Sequence, residues 1–249
     1  MKMRRLFLGA SILLVMGMCA ACSQQADTVQ HTAQAADVQT DSTIETVRDI
    51  ILPDTSSWTK QLANEGETLQ DLDFNEQEDK IVLSYKDVEG SQRIQDFYVL
   101  LNGNTTVSIS DDDRLSQEEL EDRSLEDILA FDFDRDSNPE YVFLFDTHGA
   151  GGNGTHDAWV LWVSDMPRFE LFDLLDYYEE GEGTDSEGGL DTLYQIQRVE
   201  GDASKMQTYQ YTYMDGHSDY TGDLVSLIGY DRDQKAFVVL DSWKENIED

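Results

Sequence analysis

Short apolar segments recur along this chain, most of them at spacings of about ten to eighteen residues, separated by turns rich in Asp and Gly. That rhythm restricts the fold more than any other feature. The segments span residues 81–85, 94–101, 105–110, 141–146, 158–163, 169–175, 192–199, 207–214, 224–230 and 236–243. Asn102-Gly103, between two of them, is a hairpin signal, because both central positions of the favoured two-residue turn take positive φ. Asp87 to Gly90 marks a second turn, and none of Pro53, Pro139 and Pro167 interrupts a segment. The expected fold class is therefore mainly β: an antiparallel β domain, sandwich-like or partial-propeller-like, with one or two short helices. The helices are expected before residue 130. Ser116 and Glu119 form a capping-box pair there, and Leu120, Leu125, Ile128 and Leu129 approximate helical spacing. No clean long-period repeat is visible, so one compact β domain is expected rather than a full propeller. Trp159 and Trp162 fall on opposite faces of an otherwise apolar segment, which predicts a central strand covered on both sides.

The first residues set an expected address. Lys2, Arg4 and Arg5 precede an apolar run from Leu6 to Met18, and Ala20-Ala21 stand directly before Cys22. A basic start, a short apolar stretch and small residues at the cut form a secretory signal rather than a membrane span. With the cysteine after the cut, the stretch resembles the lipobox of bacterial lipoproteins. The resemblance implies cleavage after residue 21, diacylglycerol on the Cys22 sulfur and a further acyl chain, such as palmitate, on the new N-terminus. Two or more chains suffice for stable anchoring, at about 0.8 kcal/mol per buried methylene. Residues 1–21 are thus expected to be a lipoprotein signal peptide. The chain is expected on a cell membrane, lipid-anchored and facing the extracytoplasmic side. Residues 22–43 lack aromatic residues, Lys and Arg, and read as a disordered tether. Residues 44–249 read as a single β-rich extracytoplasmic domain. With Cys22 acylated no disulfide can form, so that domain must be held by its core, by metal or by both.

The chain carries 17 Lys+Arg against 52 Asp+Glu, a formal net charge of −35. Such a field repels nucleic acid and anionic headgroups and favours cations and basic partners. One acidic stretch has chemical content beyond solubility. Asp132, Asp134, Asp136 and Glu140 occupy relative positions 1, 3, 5 and 9, with Asn138 at position 7. That spacing places oxygen ligands as a Ca²⁺ loop does, with position 7 lending its backbone carbonyl. The alternative reading is a solvated acidic turn held by Asp side chains on backbone N–H groups. The stretch AFDFDRDSNPEYVFLF, with HGAGGNGTH and DAWVLWV after it, resembles the calcium-loop units of FG-GAP/VCBS type and small bacterial lipoproteins carrying one of them. The resemblance implies Asp132, Asp134, Asp136, the Asn138 carbonyl and Glu140 as ligands of a structural Ca²⁺. Ser137 stands where such loops usually carry Gly, and Arg135 is a candidate internal counter-ion.

Asp146, His148, His156 and Asp157 flank the Gly-rich run and form a weaker second candidate, either for Zn²⁺ or for a general base with its orienting carboxylate. The run itself imitates nucleotide-binding loops, but a strand-like segment follows it and no Lys does, so no nucleotide is expected. Tyr209, Tyr211 and Tyr213 share one strand face and belong either to a core or to a sugar-stacking surface. The leading expectation is a non-enzymatic, surface-anchored binding or structural module with a Ca²⁺-stabilised loop. Its partner is a cell-wall polymer, a glycan or a protein. The alternative is an extracytoplasmic hydrolase using acids and histidines around 132–157.

Overall fold

The computed structural model describes residues 50–111, 117–147, 156–164, 166–172, 193–213 and 220–246. The chain is mainly β, arranged as three antiparallel sheets of four strands. Strands β1 (Glu67–Gln70), β2 (Asp79–Val88), β3 (Ser91–Leu101) and β4 (Thr105–Ser108) form the first sheet. The second consists of β5 (Ser124–Phe131), β6 (Glu140–Asp146), β7 (His156–Trp162) and β8 (Arg168–Leu171). The third consists of β9 (Leu193–Val199), β10 (Asp202–Tyr213), β11 (Tyr220–Asp231) and β12 (Ala236–Asn246). Within each sheet every strand pairs with its sequence neighbours, without crossovers. Among the described residues no sheet closes into a barrel. No described helix is long and apolar enough to cross a membrane.

The helices are α1 (Trp58–Glu65) and α2 (Gln117–Glu121). Trp58 and Leu62, one turn apart, bury the single apolar stripe of α1. Gly66 ends it at φ 77°, and its N–H bonds to the Leu62 carbonyl at 2.8 Å. A side chain at Gly66 would also crowd the Leu83 carbonyl of β2, so the helix end and the first sheet meet through this glycine. Asn102 and Gly103 take φ 51° and 68° between β3 and β4, as the hairpin signal required. The helical reading of residues 125–129 is corrected: they lie in β5. A bulge between Leu125 and Asp127 breaks the two-residue alternation there. It brings Leu125 and Ile128, three apart, to the same side, and so counterfeits helical spacing.

The second sheet is buried on both faces. Tyr141, Phe143, Phe145, Trp159 and Leu161 enter one core with Leu83, Phe97 and Val99 of the first sheet. Their neighbours Val142, Leu144, Val160 and Trp162 enter a second core with Met206, Ile228 and Phe237 of the third. The two tryptophans of β7 thus divide between the cores, as their odd spacing demands. Edge-to-face rings tie the layers: Phe97 lies 5.2 Å from both Phe143 and Phe145, and Phe237 lies 4.9 Å from Phe133.

Phe143 is fully buried where the first two sheets meet. Phe143→Ala should lower unfolding free energy by about 3–5 kcal/mol, read from the urea midpoint, whereas Phe143→Leu should cost much less.

Candidate metal centre

The turn from β5 to β6 begins in one core and ends in a strand. Phe133 is buried and stacks on Phe131 at 4.6 Å, so position 2 anchors the loop. Its N–H donates to Glu140 Oε2 at 2.7 Å, closing the loop onto position 9. Between these, acidic side chains hold backbone N–H groups. Asp132 takes that of Ser137 at 3.3 Å, Asp134 that of Asp136 at 3.1 Å, and Asp136 that of Asn138 at 2.7 Å. Asn138 Nδ2 also donates to Asp136 at 3.1 Å. The outcome is convergence: Asp132, Asp134 and Asp136 each place a carboxylate oxygen within 4.8 Å of the others. Two charges at that separation repel by about 3 kcal/mol at an effective dielectric near 20.

Glu140 is only 1% exposed. Burial, followed by the charges of Asp134, Asp136 and Asp132, pushes its carboxyl up to about 9 against the pull of the Phe133 N–H. Burial likewise raises Asp132 and Asp134 above the ordinary carboxylate range. Arg135 does not neutralise them. Its Nε and Nη2 donate to Ser204 Oγ at 3.1 and 3.0 Å, on the strand beyond, and it forms no ion pair among the described residues. The candidate counter-ion has therefore left the acids.

A second loop of the same build joins β1 to β2, sixty-one residues earlier. Asp71, Asp73, Asn75, Gln77 and Asp79 occupy positions 1, 3, 5, 7 and 9. Leu72 at position 2 is buried, and its N–H donates to Asp79 Oδ2 at 3.0 Å. Asp79 is fully buried and also accepts the Asn102 N–H at 2.7 Å. Backbone N–H groups of Asn75, Glu76 and Gln77 bond to Asp73, Asp71 and Asn75, the same pairs of loop positions as in the later turn. Positions 4 and 6 are left-handed in both loops: Phe74 and Glu76 at φ 55° and 66°, Arg135 and Ser137 at 58° and 72°. Asp71, Asp73 and Asp79 also gather oxygens within 4.8 Å. The sequence reading missed this loop because Asn75 interrupts the run of acids. The signal was an apolar residue between two Asp, with an acid at position 9 opening an apolar strand.

The two loops are bonded into the sheet stack. Tyr141, the residue after Glu140, donates its hydroxyl to the Leu72 carbonyl at 3.0 Å inside the first loop. Burial and the acids of that loop push its phenol above the usual range. The Asp132 N–H bonds to the Ala203 carbonyl at 2.9 Å, tying the second loop to the third sheet.

The other candidates divide. Asp146 and His156 are cross-strand partners, while Asp157 pairs with Phe145 and so belongs to the opposite face. Arg123 holds Asp157 through Nε at 2.7 Å and also through Nη2. His156 is buried with Nε2 3.1 Å from Glu126 Oε2. His148 and the Gly-rich run lie outside the described residues, as do Cys22 and the tether. Among the described residues only the two acidic loops gather three potential ligands. No protein-family model matches the chain, and no curated protein matches it either.

Ser137 holds a left-handed backbone that costs a residue with Cβ about 1–2 kcal/mol. Ser137→Gly keeps the N–H that Asp132 accepts and should raise unfolding free energy by about 0.5–1 kcal/mol by chemical denaturation, after the added unfolded-state entropy is offset.

Proposed function

We propose that the chain is a lipid-anchored, extracytoplasmic recognition module of FG-GAP/VCBS-like character, without catalytic function, in which each acidic loop is stapled by a divalent cation of calcium type. The observation that carries this reading is the repetition. Two turns sixty-one residues apart share an apolar second residue, a buried carboxylate at position 9, the bond between them and two left-handed residues. Such a turn draws carboxylates together against their repulsion, and a hard cation with oxygen ligands relieves it. The ligands of the later site are Asp132, Asp134, Asp136, the Asn138 carbonyl and Glu140. Those of the earlier site are Asp71, Asp73, Asn75 and Asp79. The cation acts structurally: it neutralises charge where the first and second sheets meet the loops, and it holds position 9 ionised. The hydrolytic alternative has less behind it, since Arg123 holds Asp157, which lies on the opposite face of the strand from His156.

Isothermal titration of EDTA-treated protein with CaCl₂ should give saturable heats for two sites. Asp73→Asn and Asp134→Asn should each remove one. At a hundredfold excess over the dissociation constant, each site should add about 2.7 kcal/mol of stability, seen as a higher melting temperature. Flat heats at millimolar calcium, with melting unchanged by EDTA, would overturn the proposal.

The metal-free protein should have its own pH dependence. Glu140 keeps its proton in the fold up to about pH 9, whereas the unfolded chain releases it near 4.5. Stability without cation should therefore fall as pH rises through that window, and saturating Ca²⁺ should flatten the fall by replacing the proton. Glu140→Gln should flatten it without cation and weaken calcium binding. Anchoring is tested separately: Cys22→Ser should abolish incorporation of labelled palmitate and release the protein from membranes.

A further inference from the structure

A cavity of about 530 Å³ opens where the second sheet meets the third, between residues 50–52, the β5–β6 loop and the β9–β10 turn. An irregular register shapes it. Asp202 stands opposite Val199 and Met206 opposite Arg198, so residues 203–205 leave the ladder. Within that stretch Ala203 offers its carbonyl to the Asp132 N–H, and Ser204 offers its hydroxyl oxygen to Arg135. Ile50, Leu52, Val199 and Ala203 give the cavity an apolar wall. Its size falls within that of small-molecule sites, roughly 300–1,000 Å³.

Two arginines complete the lining. Arg135 and Arg198 are both exposed, so the cavity communicates with solvent. Neither forms an ion pair among the described residues, in a chain with 52 acidic residues against 17 basic. Arg135 directs Nε and Nη2 to Ser204 Oγ. Arg198 Nη2 reaches the Pro53 carbonyl at 3.4 Å and Thr55 Oγ1 at 3.5 Å, both at the limit of hydrogen bonding. A guanidinium carries five N–H donors in a planar fork, so each keeps donors that no described group accepts. The acids on the lining are engaged elsewhere. Asp202 accepts Lys205 Nζ at 2.9 Å and Ser204 Oγ at 2.7 Å, and Asp132 accepts the Ser137 N–H of its own loop. Asp54 and Asp127 feel the Arg198 charge without closing to an ion pair.

We propose that this cavity binds a small organic monocarboxylate with an aliphatic body, its carboxylate held by Arg135 and Arg198 and its body laid on Ile50, Leu52 and Val199. Charge and shape select this class. A planar carboxylate matches the guanidinium fork, which binds it through parallel N–H bonds. The Debye length at physiological salt is about 8 Å, so an anion in the cavity answers to the two guanidiniums rather than to distant acids. A second negative charge would face Asp132 and Asp202 across the same small space, which disfavours a phosphate dianion. A cation would meet both guanidiniums. The inference rests on the recognition-module reading, to which it gives a ligand class, and makes no use of the metal ions.

The test uses hexanoate titrated into the full chain, both in calcium and in EDTA below the melting transition. Arginine side-chain NMR should show the Nε–H signals of Arg135 and Arg198 moving and saturating. That of Arg123, which is held by Asp157, should stay in place. Calorimetry should give a dissociation constant of roughly millimolar order for so small a ligand. Hexanamide, with the same body and no charge, should bind at least about tenfold more weakly, and hexyl phosphate should also bind more weakly than hexanoate. Arg135→Gln and Arg198→Gln should each weaken hexanoate binding about tenfold with the melting temperature nearly unchanged, and Arg198→Lys should retain part of it. Added NaCl should weaken hexanoate binding and leave hexanamide unaffected. Stationary Arg135 and Arg198 signals, equal binding of hexanamide or hexyl phosphate, or undiminished binding by both glutamine variants would overturn the proposal. Flat calcium heats with the hexanoate response intact would overturn the cation reading alone.

Discussion

The carboxylate at the ninth position of each acidic loop governs the end of the molecule where the sheets are stitched together. Glu140 and Asp79 each open a strand whose next residues enter the core, so neither can turn its charge to water. Each accepts the N–H of the loop's second residue, and that residue, Phe133 or Leu72, is itself sunk in a core. One backbone bond at Glu140, or two at Asp79, does not balance a buried charge, which costs several kcal/mol to desolvate. Burial therefore favours the protonated carboxyl, as at Glu140. The remaining loop acids are folded back onto the loop's own N–H groups and converge within 4.8 Å of one another.

The loops matter because of where the sheets put them. A sheet buried on both faces cannot meet solvent through its strands, so its polar chemistry collects at the turns. The Tyr141 hydroxyl reaches from β6 into the first loop, and the Asp132 N–H reaches from the second loop to β10. Each loop is therefore bonded across an interface between sheets. The third sheet differs: Tyr209, Val225 and Trp243 align across three of its strands on the face opposite the core residues Met206 and Ile228.

Strand positions were legible because alternation and turn residues are local signals. Asn102-Gly103 and the split of Trp159 and Trp162 between two cores both follow from neighbours along the chain. The bulge in β5 was not legible, since a residue displaced from the ladder changes the spacing from two to three and reads as a helix turn. Helix α1 was missed for a related reason: its apolar stripe is two residues, Trp58 and Leu62, too few to register as periodicity. Of the metal candidates, the turn at 132–140 was visible in its run of acids. Its twin at 71–79 was not, because Asn75 breaks the charge pattern while preserving the geometry.

From residues alone came the mainly β class, the strand rhythm, the acidic balance and one candidate loop, all properties of short stretches. Only the folded chain decided that the strands form three stacked meanders, that Arg135 turns from its own loop to Ser204, and that two distant turns share one hydrogen-bond scheme. Those outcomes depend on which surfaces meet across tens of residues, and spacing along a sequence carries no record of that. Position 9 shows the difference most clearly. A glutamate before an apolar run is unremarkable in a list of residues, and becomes a buried carboxyl bonded to the Phe133 N–H once the sheets close over it.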